Sequence, residues 1–182
     1  MNVIEIKRKQ GYTLTEKEIE TVVGVHIANN KQYEPTLMQR FKVDTEDKLR
    51  VKILDMIMNR IHEGYIFYLI YMDGDLVGFN NHHLSTLRIQ GQQYSAIEIG
   101  TTSILPQYQN RGMGTALYAR IDEDALNTYR VDIVSRVTWS TNARQCHLYE
   151  KYGYKRYMIK IDHYGVEGID SVSYFKVLSR EE

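Results

Sequence analysis

At 182 residues, with 23 Lys and Arg against 23 Asp and Glu and a formal net charge of zero, the chain suits one compact domain, residues 1–182, with a sizeable core. Balanced charge excludes the surplus of cations by which nucleic acids and anionic membranes are recognised, so neither is an expected partner. A single cysteine excludes an internal disulfide, and with neither a charged-then-apolar leader nor an apolar run long enough to cross a bilayer, the expected location is the cytoplasm.

Asn2 to Lys7 alternates like an opening strand. Thr15 and Glu18 form a capping box ahead of Ile19, Val22, Val23 and Ile27, which predicts a first helix. Asn29 to Val43 is polar, contains Pro35 and reads as a long loop. Asp44 or Thr45 then caps a second helix with Leu49, Ile53, Leu54, Ile57, Met58 and Ile61 at helical spacing. Tyr65 to Met72 is almost wholly apolar or aromatic, and Asp73-Gly74 is a hairpin signal leading into an antiparallel partner at Leu76 to Phe79. From Tyr94 to Ile104 the chain alternates again, with Ile97, Ile99, Thr101 and Ser103 on one side and Glu98, Gly100, Thr102 and Ile104 on the other.

That strand ends at Leu105-Pro106, and Gln107 to Gly114 forms a glycine-containing turn that opens a periodic helix through Met113, Ala116, Leu117, Ile121, Ala125 and Leu126. A further strand signal spans Val131 to Val137, so strand, helix and strand imply a right-handed parallel crossover. Two glycines let a backbone approach an anion closely, and helix-start N–H groups favour negative charge, so the turn suits a phosphate. It is not a P-loop, because Met113-Gly114-Thr115 supplies no lysine. Nor is it the dinucleotide fingerprint, since Leu117 occupies the place of the third small residue.

Gln109-Asn110-Arg111-Gly112-Met113-Gly114 follows the pattern Gln/Arg-x-x-Gly-x-Gly/Ala and resembles the coenzyme A pyrophosphate loop of the GNAT family of N-acetyltransferases. Downstream, Asn142-Ala143-Arg144-Gln145-Cys146-His147-Leu148-Tyr149-Glu150-Lys151-Tyr152-Gly153-Tyr154 is similar to that family's Asn-x-x-Ala-x-x-Leu-Tyr-x-Lys-x-Gly-Phe segment, with Gln145 where alanine is frequent. The resemblance is strong from about Tyr94 to Tyr154 and weak over the first ninety residues. Arg144 to Tyr152 reads as a short helix stopped by Gly153, and Tyr157 to Ile161 and Val172 to Val177 as two last strands with Gly165 and Gly168 at their turn. These elements read as one mixed α/β domain, and the resemblance implies a mostly antiparallel central sheet with one splayed parallel strand pair and flanking helices.

The resemblance implies acetyl transfer from acetyl-CoA directly to a primary amine. It places the pantetheine arm between Glu98 to Leu105 and Val134 to Ser140, and the pyrophosphate on the amides of Gln109, Asn110, Arg111, Gly112, Met113 and Gly114 and the Thr115 side chain. Ile104 and Leu105 belong to the cofactor-binding strand end, with a backbone N–H near Ile104 facing the thioester carbonyl, and Asn142 holds the pantetheine. Glu98 is the candidate base and Tyr149, beside the coenzyme sulfur, the candidate acid. Each has a blander reading: Glu98 as a cross-strand ion pair, Tyr149 as a core tyrosine with a wet tip, the glycines as an ordinary tight turn. His82-His83 point to opposite faces of a strand, so a metal site is not expected, and Cys146 beside His147 does not make a nucleophile and base.

Residues from Asn29 to Val43, with Tyr33, Glu34 and Arg40, and those around His82 and Tyr164 are expected to shape the acceptor pocket. A small-molecule amine is the leading acceptor, with a protein N-terminus or lysine as the alternative, and a homodimer stays open. A non-catalytic acyl-CoA-binding regulator and a nucleotide-binding module are the competing classes.

Overall fold

The computed structural model describes residues 4–31, 34–162 and 166–178. In chain order its elements are β1 (Ile4–Gln10), α1 (Glu16–Asn29), α2 (Glu34–Phe41), α3 (Glu46–His62), β2 (Ile66–Met72), β3 (Asp75–Ile89), β4 (Gln92–Ile104), α4 (Met113–Asp124), β5 (Ile133–Trp139), α5 (Ala143–Lys151), β6 (Lys155–Lys160) and β7 (Ser171–Val177). The strands form one sheet in the order β1-β2-β3-β4-β5-β7-β6, with β4 and β5 parallel and antiparallel joins at β1–β2, β2–β3, β5–β7 and β7–β6. This is the mixed, mostly antiparallel α/β sheet that the resemblance implies. Two compact units divide the contacts: Met1–His82 with Thr101–Leu117, and His83–Gly100 with Tyr118–Glu182.

In the first unit, α1 begins where its capping box stands. Thr15 Oγ1 accepts from the Glu18 N–H at 3.2 Å, and the Glu18 carboxylate accepts from the Thr15 N–H at 2.8 Å. Thr45 rather than Asp44 caps α3, accepting from the Lys48 N–H at 3.3 Å, while Asp44 pairs with the Lys48 ammonium. Buried Val22 and Val23 of α1 and Leu49, Ile53, Ile57 and Ile61 of α3 are apolar stripes at helical spacing, and α1 packs on α3. β2 is buried at almost every position, which is why its sequence is continuously apolar instead of alternating. Asp73 and Gly74 both take positive φ, 51° and 91°, the geometry of a two-residue hairpin turn.

Two expectations shift here. The segment Asn29 to Val43 is not a loop throughout, because α2 occupies Glu34–Phe41 with Pro35 as its second residue, and a proline in the first turn sacrifices no intrahelical bond. The first strand runs past Lys7 to Gln10, carried by pairing of Ile4–Gln10 with Ile66–Met72, while Asn2 and Val3 lie outside the described residues.

In the second unit, β4 pairs with β5 over only four residues, Ala96–Ile99 against Ile133–Arg136. β5 starts two residues later than the Val131 signal. Arg130 takes φ 53°, and the Asp132 carboxylate accepts from the Ser95 N–H at 2.8 Å, so the chain turns into the ladder only at Ile133. Ile89, Ala96 and Ile133 form a buried cluster covered by Leu87, Tyr94, Tyr157 and Phe175. Gly153 ends α5 at φ 81°, and Gly168 takes φ 76° between β6 and β7, while Gly165 lies outside the described residues.

Candidate functional site

β4 ends on Ile104, and the Leu105 N–H donates to the Val77 carbonyl at 2.9 Å. After a single 3-10 turn at Pro106–Tyr108, the Gln109 side-chain amide donates at 3.0 Å both to the Ile104 carbonyl and to Asn29 Oδ1. Gln109 therefore ties the turn to the end of β4 and to the last residue of α1. Asn110 at φ 60° and Gly112 at φ 81° bend the backbone through the left-handed region, which asparagine tolerates and glycine favours. The first bond of α4 runs from the Ala116 N–H to the Gly112 carbonyl at 2.9 Å, so the amides of residues 113 to 115 form its first turn.

Room exists above those amides. A Cβ added at Gly112 or at Gly114 would meet no heavy atom within 4 Å, whereas one at Gly78 would meet the Ser103 carbonyl and the Ile104 side chain at 3.0 Å. The turn is thus held by Gln109 on its inner side and open on its outer side. Met113 and Leu117 are buried, so Met113 contributes an amide and an anchor, while Arg111 is exposed with its guanidinium 5.4 Å from the Tyr108 ring and 3.9 Å from Met72 Sδ. Ile104, Leu105 and Gln109 through Thr115 all lie on this one segment of the first unit.

The same unit holds a buried polar chain that sequence reading did not single out. His26, 8% exposed, shares a 3.0 Å hydrogen bond with Ser103 Oγ. Burial, aided by the Arg60 and Arg40 charges, pushes its pKa down to about 4. Arg60 donates to Asn81 Oδ1 and Thr101 Oγ1, and Asn81 Oδ1 also accepts from the Thr101 N–H at 2.9 Å. Arg60 further lines a cleft of about 410 Å³, with Phe41 and Met56 as apolar walls and Lys52, Asp55 and Glu63 as charged ones. Phe41 of α2 is the lining residue that comes from the Asn29 to Val43 segment, and the others lie on α3 or just after it. Tyr33 and Tyr164 lie outside the described residues.

The second unit carries Glu98, Asn142 and Tyr149. Glu98 Oε1 faces His83 Nε2 at 3.7 Å, the cross-strand pair of the blander reading, with both side chains about one third exposed. His82 points the other way and stacks on the Tyr68 ring at 5.1 Å; among the described residues no cluster of His, Cys, Asp or Glu is arranged to hold a metal. Asn142 caps α5, its Oδ1 accepting from the Gln145 N–H at 3.2 Å. Gln145, at the position where alanine is frequent, donates through Nε2 to the Tyr118 hydroxyl at 2.7 Å. Tyr149 is 6% exposed, with its ring 5.3 Å from Tyr174 and 5.7 Å from Tyr154, and burial raises its pKa well above the usual phenol range. Arg136, fully buried beneath these rings, carries no sequence motif; its one trace is a cation inside the apolar strand Ile133–Trp139.

A family model described as the acetyltransferase (GNAT) family matches residues 14–154. The chain belongs to this family. No curated protein matches the sequence of this GNAT chain. Among solved structures, its fold is similar to a GNAT family acetyltransferase from Elizabethkingia anophelis with acetyl-CoA bound, at 16% identity and TM-score 0.62 over 96% of this chain and 98% of that one. It is similar also to the ribosomal-protein-S18-alanine N-acetyltransferase of Escherichia coli, at 18% identity and TM-score 0.62 over 100% and 97% of the two chains. The spermidine/spermine N-acetyltransferase of Vibrio cholerae matches at 15% identity and TM-score 0.61 over 96% and 94%. At such identities the likeness is one of fold.

Proposed function

We propose that this GNAT chain, as one domain over residues 1–182 acting in the cytoplasm, transfers an acetyl group from acetyl-CoA directly to the primary amine of a small molecule. The observation that carries the reading is the turn at Gly112 and Gly114, braced from within by Gln109 and open above the first amides of α4. A diphosphate fits there because the helix start offers N–H donors and a favourable dipole, and neither glycine places a Cβ in its way. The Thr115 hydroxyl and the exposed Arg111 add polar groups to the same turn. β5 runs three residues past its last β4 partner, so an amide-rich pantetheine arm can pair with backbone groups of Val137 to Trp139, and Asn142 stands at the start of the next helix.

When bound, acetyl-CoA supplies an activated acyl group on a thiol leaving group. The chain supplies the rest: a backbone N–H near Ile104 donates to the carbonyl oxygen as charge grows on it, Glu98 removes a proton from the amine directly or through a water, and Tyr149 gives its proton to the departing sulfur. A phenol is protonated at neutral pH, as an acid requires, and burial makes that of Tyr149 less acidic still. The cleft on α3, where Asp55 and Glu63 are balanced by Lys52 and Arg60 beside apolar Phe41 and Met56, is the candidate place for the acceptor amine. The test is a panel of amines, amino acids and peptides incubated with acetyl-CoA, reading free thiol release. Stimulated release with a small amine supports the reading, and a preference for peptides moves the acceptor to protein. Tight coenzyme A binding without release by any amine identifies an acyl-CoA-binding regulator, and tighter binding of ATP or NAD than of coenzyme A a nucleotide-binding module.

A further inference from the structure

No part of Arg136 is exposed. Its guanidinium carbon stands 4.0 Å from the ring centroid of Tyr118, 5.1 Å from that of Tyr154 and 5.7 Å from that of Tyr149. Among the described residues no carboxylate comes within ion-pair distance of it. Nε and both Nη atoms find no acceptor at full hydrogen-bonding geometry, although the Tyr154 hydroxyl lies close enough to act on the cation as an acceptor as well as electrostatically. A guanidinium caged by π faces in this way is a costly core filler, because an apolar side chain of similar length would fill the space without being stripped of water. Its position is also particular. Arg136 is the last β5 residue with a β4 partner, paired across the ladder with Ile99.

We propose that Arg136 is a positioning residue that holds the Tyr149 ring and sets the acidity of its phenol. The inference rests on the reading of Tyr149 as the proton donor to the leaving thiolate. In that step the Tyr149 O–H bond breaks and an S–H bond forms; the electron pair stays on the phenolate oxygen, which recovers a proton from water. Burial alone makes the phenol reluctant to ionise, and a fixed cation against its ring opposes that reluctance at the moment the proton leaves. The other ionisable groups facing this cage are the phenols of Tyr118 on α4, Tyr154 after α5 and Tyr174 on β7, and the Asp122 carboxylate of α4, which is paired with Lys176 at 2.6 Å. Tyr118 is itself held by Gln145, so the cage is tied to α5 by a second route.

The test replaces Tyr149 by 3-fluorotyrosine, whose phenol is the more acidic, and follows its 19F resonance against pH in the full chain with Arg136 intact and in R136M, R136Q and R136K. In R136M the fluorophenol should titrate higher by on the order of one to two pH units, as expected for losing a charge at this distance in a medium of intermediate dielectric. R136K, which keeps the charge, should stay nearer the native value. An unchanged or lower titration in R136M overturns the proposal, and R136Q, which also removes the charge, takes its place in the comparison should R136M fail to fold. Thiol release by Tyr149→Phe with the best amine separates the two readings. Native turnover in that variant together with a shifted titration sinks the proton-donor role and keeps the coupling; slow turnover with an unshifted titration does the reverse.

Discussion

Gly114→Glu pulls stability and ligand binding in opposite directions. The added Cβ meets no heavy atom within 4 Å, and Gly114 is the second residue of α4. Replacing glycine there by a good helix former stabilises by roughly 0.5 to 1 kcal/mol, and a carboxylate in a helix's first turn adds about 0.3 to 1 kcal/mol. A chain of this size should therefore melt about 2 to 4 °C higher for each kcal/mol gained. The same carboxylate would stand about 5 Å from a diphosphate seated on the turn, which at an effective dielectric constant of about 20 costs about 3 kcal/mol per charge pair. That is more than a hundredfold in affinity. Thermal melting with calorimetric titration of acetyl-CoA reads both quantities. A variant that melts higher yet binds acetyl-CoA as tightly as the native chain would refute the placement of the diphosphate, and one that melts lower would refute the openness of the turn.

Gly112→Ala should cost roughly 1 to 2 kcal/mol in urea denaturation, since the new side chain meets no neighbour but the backbone stays at φ 81°; native stability would show that the turn adopts another conformation. Ile53→Ala, at a fully buried position of α3, should cost about 2 to 5 kcal/mol, and a loss under 1 kcal/mol would place Ile53 outside the core. The pKa of His26 is depressed in the fold, so above pH 6.5 the ring is neutral in both states and contributes nothing. Between pH 6.5 and about 4 only the unfolded chain takes the proton, and stability falls by up to about 3 kcal/mol. His26→Asn should lose that slope, and matching urea midpoints against pH for the two proteins would count against a neutral buried ring.

Where local chemistry decides structure, the sequence is explicit. The Thr15 and Glu18 box, the Asp73-Gly74 turn and the Gln109 to Gly114 bend each depend on residues within a few positions of one another, and all three stand where the pattern puts them. α2 was hidden because Pro35 and flanking polar residues read as loop, although a proline inside the first turn is compatible with a helix. Arg136 was hidden for a different reason. A cation inside a strand looks solvated unless Tyr118 of α4 and Tyr149 and Tyr154, on and just after α5, are known to close over it. The same holds for His26 with Ser103, 77 residues apart, and for Arg60 with Thr101. Tertiary polar networks leave no periodic signature.

Amide resonances test the proposed diphosphate site most directly. In a 15N-labelled chain titrated with acetyl-CoA, the N–H groups of Gly112 to Thr115 should move strongly downfield and saturate together, as hydrogen bonds to an anion require. Saturable binding that leaves those four resonances in place, with the shifts gathered elsewhere, would mean that the carrier is held by another part of the molecule.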